Sequence, residues 1–190
     1  MILREKNKTI KRICVFCGSN SGAAPEYERA AIELGALIAE KGLGLVYGGG
    51  GRGMMGALSN SALSHGGRVK GVVPKKVFSD KLINENVKDI RMTASMHARK
   101  ALMGRLSDAF IVMPGGIGTL EEFAEVFTWI QLGLHSKPLG LLNTKGYYNE
   151  LISFFETSMR DGFFDRNTFS RLSVSKDPAE LLGLILDKQT

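Results

Sequence analysis

The chain has 190 residues, 44% hydrophobic and 23% charged, with a formal net charge of +6 and a sequence pI of about 9.4. That is ordinary for one soluble globular domain, and with no repeat or low-complexity stretch it excludes a disordered chain. No apolar run is long enough for a signal peptide or a membrane helix, so a cytoplasmic protein with no membrane partner is expected.

The basic residues begin with Arg4, Lys6, Lys8, Lys11 and Arg12, and residues 1–11 read as a flexible, solvated lead-in. Residues 13–16 form a short apolar strand ending in CGSN, and residues 25–41 a helix with Tyr27, Ala30, Leu34, Leu37 and Ile38 on one stripe. Residues 43–47 read as a second strand running into four glycines, residues 53–65 as a helix, and residues 69–73 as a third strand stopped by Pro74. Residues 75–86 read as a loop and 87–92 as a short strand. A helix over 95–107 has Ser95 as its cap. Then come a strand over 109–113, a helix over 119–134, a strand over 139–142 and a helix over 147–160. A final edge strand over 172–175 precedes a helix capped by Asp177, with Pro178 in its first position.

Strands alternate with helices, and the strands are short and apolar on both faces. This is the pattern of a single α/β domain, a doubly wound, Rossmann-like parallel sheet with helices on both sides. Such sheets bind ligands beyond the carboxyl ends of their strands. Three Gly-rich stretches fall at such ends: CGSN (17–20), GGGGRG (48–53) and PGGIGT (114–119).

In PGGIGT, missing side chains let backbone N–H groups approach an anion at the N-terminus of the following helix, and Thr119 adds a hydroxyl. The plainer reading is a strand-to-helix turn. The spacing is neither the dinucleotide fingerprint nor a Walker loop, because no acidic residue closes residues 69–74 and no Gly-Lys-Ser/Thr follows. The basic charge leans toward anionic ligands. Its dispersal, without interleaved aromatics, disfavours nucleic acid. Cys14 and Cys17 stand on opposite faces of a strand and read as core cysteines rather than a redox or metal pair, and no metal pattern is apparent.

MHARK (96–100) puts cations at a helix start, where the dipole favours acids. Arg99 shares a face with Leu102, Met103 and Leu106 and is expected to be partly buried, suited to a phosphate or carboxylate. His97 reads as a structural histidine. Glu121 and Glu122 follow PGGIGT after a single residue, Leu120. As acids in a first turn they would complement the dipole. Glu122, however, lies beside the stripe of Phe123, Val126, Phe127 and Ile130, so it is expected to point inward. There a carboxylate could support an oxocarbenium-like charge on a sugar.

MHARKALM and PGGIGTLEE at this separation resemble the LOG (Lonely Guy) family of cytokinin-activating phosphoribohydrolases, often mislabelled lysine decarboxylases. VFCGSNSG, GLVYGGGGRGMMG, TWIQLGLHSKPLGLLN and GYYNELISFFE agree, so the resemblance runs from Cys14 to about Phe164. The family pattern PGGxGTxxE is met by Pro114, Gly115, Gly116, Gly118, Thr119 and Glu122. The resemblance implies hydrolysis of the N-glycosidic bond of adenosine 5′-monophosphates, with or without an N6 substituent, to free base and ribose 5-phosphate, without a cofactor. It implies Arg99 and Glu122 as catalytic residues. Ser19, Gly49, Gly50, Met96, Arg99, Lys100, Gly115, Gly116, Ile117, Gly118, Thr119, Glu121 and Thr128 would bind substrate, and a homodimer or higher homo-oligomer would form. Long apolar stripes over 123–134 and 151–155 also point to self-association. This chain has Lys81 where plant members carry a substrate-contacting glutamate, with Glu85 nearby. The alternative is a nucleotide-binding or sensor protein of the same fold without turnover. A decarboxylase would need an electron sink such as PLP, and no lysine has that context.

Overall fold

The computed structural model describes residues 9–75 and 82–188. The elements follow in the order β1 (Arg12–Phe16), α1 (Pro25–Glu40), β2 (Gly44–Tyr47), α2 (Gly53–Ser64), β3 (Arg68–Pro74), β4 (Asp89–Thr93), α3 (Met96–Leu106), β5 (Ala109–Val112), α4 (Ile117–Gln131), β6 (Leu139–Leu142), α5 (Asn149–Arg160), α6 (Arg166–Ser170), β7 (Leu172–Ser175) and α7 (Pro178–Asp187). The strands form one sheet in the order β4-β3-β2-β1-β5-β6-β7, and every neighbouring pair is parallel. This is the doubly wound α/β architecture that the alternating pattern predicts.

Because successive strand residues face opposite ways, each strand feeds two cores. Ile13, Val15, Leu45, Tyr47 and Ile111 pack with Leu34, Ile38, Leu58 and Ile185 from α1, α2 and α7. Cys14, Phe16, Val46, Phe110 and Val112 pack with Met103 of α3 and with Phe123, Val126, Phe127 and Ile130 of α4. Both cysteines are free and buried, and Cys17 belongs to the first core, Cys14 to the second. Phe155 of α5 sits 5.6 Å from Phe127 and 5.4 Å from Phe164 between ring centroids, so part of the 151–155 stripe is satisfied within the chain. Phe154 (62% exposed) and Phe163 (85%) are not.

Several expectations need correction. Helix α4 starts at Ile117, two residues before Thr119, with Gly116 at its cap. It stops at Gln131 rather than Leu134, because Gly133 takes φ +70° and the Leu134 and Gly133 N–H groups donate back to the Trp129 and Ile130 carbonyls, a Schellman closure. The lead-in is anchored at its end. Ile10 is buried in the first core, and the Lys11 and Arg12 N–H groups donate to Asp108 Oδ2 at 3.1 and 3.0 Å. The described end of the 75–86 loop is docked: Ile83 bridges Gly50, and buried Asn84 donates to Ser59 Oγ and Asn60 Oδ1, both at 2.9 Å. Strand β4 starts at Asp89, and Val87 is buried ahead of it. Helix α6 was not expected; Asp165 caps it by accepting from Thr168 N–H at 2.7 Å.

Helices α1 and α2 pack closely because Gly35 has no side chain: a Cβ there would lie 2.3 Å from the Leu58 carbonyl oxygen. Gly183, in α7, faces open space. Gly→Ala in a helix interior gains about 1 kcal/mol of propensity. At Gly183 that gain stands, so Gly183→Ala raises Tm by a few degrees. At Gly35 the oxygen belongs to a helix backbone that cannot move alone. Overpacking of about 1–3 kcal/mol then outweighs the gain, and Gly35→Ala lowers Tm. Thermal denaturation of the two variants checks the opposite signs; a shift in the same direction for both would contradict the packing.

Candidate active site

Strands β1 and β5 are neighbours, but the chain leaves them toward opposite edges of the sheet, which opens a crevice at their carboxyl ends. The loop after β1 meets the loop after β5 there, and the Gly18 N–H donates to the Pro114 carbonyl at 3.0 Å. A Cβ on Gly115 would lie 2.8 Å from the Gly18 nitrogen and 2.2 Å from Thr119 Oγ1. On its other side the β1 loop touches the start of α2, where Gly53 has φ +55° and a Cβ would lie 2.2 Å from the Ser19 carbonyl oxygen. The three Gly-rich stretches therefore form one continuous rim.

Gly115 is a packing glycine, whereas a Cβ on Gly116 or Gly118 would meet nothing within 4 Å. Both are exposed, as is Ile117 at 82%, while Thr119 is buried beneath them. Helix α4 has no side-chain cap at Gly116. Its first N–H groups therefore have no side-chain cap at the positive end of the helix dipole, an arrangement suited to an anion. The Tyr147 hydroxyl donates to the Gly115 carbonyl at 2.7 Å and the Tyr148 hydroxyl to the Met113 carbonyl at 2.7 Å, so two side chains after β6 hold this loop from below. The sequence reading missed both tyrosines; the only signal was their adjacency just beyond a strand.

Arg99 extends from α3 across this crevice. Its Nη1 donates to Glu122 Oε1 of α4 at 2.9 Å and its Nε to the Val72 carbonyl at the end of β3 at 3.1 Å. Arg99 is 7% exposed and Glu122 8%. Gly48 makes room for the guanidinium, since a Cβ there would lie 2.3 Å from Nη2. Burial pushes the Glu122 carboxyl above the usual carboxylate range, and the Arg99 charge opposes that shift. Glu122 does face inward. Glu121 and Glu122 lie beyond the first turn of α4, so complementing the helix dipole does not explain them. Glu121 faces outward and pairs with Lys100, which also lies 3.2 Å from Glu125. The Lys100 charge is thus directed at two carboxylates.

The expected site residues separate into groups. Arg99, Lys100, Gly115, Gly116, Ile117, Gly118, Thr119, Glu121 and Glu122 gather where α3 meets the start of α4, with Ser19 exposed on the adjoining rim. Gly49 and Gly50 are buried and serve packing: the Gly49 carbonyl accepts from Asn84, Gly49 has φ +82° against Val73, and a Cβ on Gly50 would meet Met55. Met96 and His97 are exposed at the start of α3. Thr128 is exposed six residues beyond Glu122, about 9 Å farther along the helix, and is not brought to the cluster. Lys81 lies outside the described residues, and Glu85 is exposed. Among the described residues no three His, Cys, Asp or Glu side chains gather as a metal would require.

A family model described as "Possible lysine decarboxylase" matches residues 55–185. The chain is 51% identical over 162 residues to cytokinin riboside 5′-monophosphate phosphoribohydrolase LOG7 of Arabidopsis thaliana, covering 85% of this chain and 74% of that protein. It is 44% identical over 184 residues to the LOG phosphoribohydrolase of Oryza sativa subsp. japonica, covering 97% and 76%. Among solved structures, the molybdenum cofactor binding protein of Rippkaea orientalis superposes with a TM-score of 0.73 at 26% identity, covering 96% of this chain and 99% of that one. The Chlamydomonas reinhardtii molybdenum cofactor carrier protein gives 0.72 at 26%, covering 96% and 98%. With the PGGxGTxxE pattern, the Arg99–Glu122 pair and these relatives in agreement, the chain belongs to the LOG phosphoribohydrolase family, whose model still bears the lysine decarboxylase description.

Proposed function

We propose that the protein hydrolyses the N-glycosidic bond of adenosine 5′-monophosphates, bare or N6-substituted, releasing the free base and ribose 5-phosphate. The observation that carries this reading is a buried carboxylate, Glu122, fixed by Arg99 and set one and a half turns along α4 from an uncapped helix N-terminus. The 5′-phosphate sits on the N–H groups around Gly116 to Thr119. Arg99 holds Glu122 Oε1 and leaves Oε2 for the ribose. As the C1′–N9 bond breaks, positive charge develops on the sugar, and the carboxylate stabilises it and orients the attacking water. The water oxygen bonds to C1′, and one proton leaves with the base.

A carrier that binds without turnover is the second reading, favoured by the superposition on molybdenum cofactor carriers. Glu122 separates the two: a carboxylate near a bound phosphate costs a binder affinity, whereas a glycosidase requires one. Chromatography after incubation with AMP and with isopentenyladenosine monophosphate decides between them, because a carrier yields no free base. The reading includes a cytoplasmic protein, supported by two buried free cysteines. It also includes a homodimer or higher homo-oligomer, supported by exposed Leu132, Leu134, Phe154 and Phe163.

Four outcomes are expected. Glu122→Gln keeps the shape and removes the charge, lowering kcat at least about 100-fold, or roughly 2.7 kcal/mol at the transition state; full activity would sink the mechanism. AMP exceeds adenosine in kcat/KM by at least about 10²-fold, since two or three charge-assisted hydrogen bonds contribute about 1.5–3 kcal/mol each. Gly116→Val, in open space, folds normally yet erases that preference; similar values for both substrates in the parent would reduce the loop to a turn. Finally, the ionised carboxylate is the active form and burial raises its pKa, so kcat falls with decreasing pH while still above the ordinary Glu value of about 4.3. A rate that stays flat down to that pH would contradict the assignment.

A further inference from the structure

A second concavity lies at the opposite rim of the sheet. All strands are parallel, so their amino ends share one edge, and the first residues of β1, β2, β3 and β4 (Arg12, Gly44, Arg68 and Asp89) all line a cavity of about 770 Å³ there. The size suits a small-molecule site, for which about 300–1,000 Å³ is usual. Strand β3 spans seven residues, so this rim and the candidate active site are separated by roughly 20 Å.

The charge of this cavity is one-sided. Lys11, Arg12, Arg68, Lys70 and Lys88 line it against Asp89 alone, five cations and one carboxylate, a formal +4 in a chain whose total is +6. Asp89 is already paired with both Lys70 and Arg91. Arg68 donates to the Gly42 carbonyl at 2.8 Å, and Arg12 stands 4.0 Å from Asp108, whose Oδ2 also accepts two backbone N–H groups. Lys11 and Lys88 are exposed and make no ion pair among the described residues. The floor, by contrast, offers apolar surface at half-buried Leu63 beside Val69; Leu45 and Val46 also border the cavity but are buried in the cores on opposite faces of the sheet. Gathered like charges cost self-repulsion that an anionic ligand relieves. An inorganic anion would leave the floor unused, whereas a flat, weakly polar body carrying several phosphates would use both surfaces.

We propose that this cavity binds a nucleoside polyphosphate, with its phosphates among the rim cations and its base on the apolar floor, at a site separate from the one that takes nucleoside monophosphates. The test titrates ATP, tripolyphosphate and adenosine into the whole protein by calorimetry, and repeats the ATP titration with three variants. ATP binds tighter than either fragment, and more weakly as salt is raised. Lys11→Glu/Lys88→Glu loses at least about tenfold in ATP affinity and keeps AMP hydrolysis, because neither lysine is near Glu122. Lys11→Gln/Lys88→Gln, which only removes charge, loses less but in the same direction and guards against a misfolded reversal. Arg99→Ala loses hydrolysis and keeps ATP binding. ATP binding that disappears in Arg99→Ala but survives the lysine changes would place the nucleotide in the active site and overturn the proposal. Tripolyphosphate binding as tightly as ATP, or no ATP binding below millimolar concentration, would leave an adventitious anion site only.

Discussion

The site depends on one buried ion pair, Arg99 with Glu122, that ties α3 to α4 over the carboxyl ends of the central strands. Neither partner could be buried alone, since an uncompensated charge in this setting costs several kcal/mol. Together, and with the Arg99 Nε on the Val72 carbonyl, they satisfy one another and fix the geometry of both helices. The two effects on the carboxyl oppose one another: burial raises its pKa while the guanidinium charge lowers it.

Glycines around the pair serve two separate purposes. At Gly48, Gly53 and Gly115 a Cβ would collide with Arg99, with the Ser19 carbonyl and with Thr119, so these positions are empty because the protein itself fills the space. At Gly116 and Gly118 nothing of the protein stands near. Those two border open space beside the start of α4. The uncapped start of α4 gives that space its character, with N–H donors and the positive end of a dipole. Tyr147 and Tyr148 brace the chain entering that stretch, at Gly115 and Met113, from the β6 side.

The same fold carries proteins named as hydrolases and proteins named as cofactor carriers, and the sheet alone does not separate them. The crevice of this chain has its own chemistry. Lys100 illustrates the point: a lysine at the mouth of an anion site would ordinarily be read as a phosphate ligand, yet here it is held by Glu121 and Glu125. Arg99 is likewise held by Glu122, so the donors left without a side-chain partner at the crevice are the backbone N–H groups at the start of α4.

The sequence by itself determined the α/β alternation, the three Gly-rich loops, the inward direction of Glu122 and that Arg99 leans toward the core, though not how fully it is buried. Each follows from short-range periodicity: a strand alternates every residue, a helix repeats every 3.6, and a polar residue beside an apolar stripe turns toward the core. Local chemistry also gave the caps at Ser95 and Asp177. Only the tertiary structure decided that β1 lies beside β5, because strand order is a long-range property with no local code. That placement sets Gly18 against Pro114 and makes one crevice from separate loops. It also decided which glycines pack and which stay open, that Arg99 and Glu122 face one another across 23 positions of sequence, and that Thr128 stays outside the cluster. Contacts between elements far apart in the chain carry no periodic signal, so they became visible only once the sheet had brought those elements together.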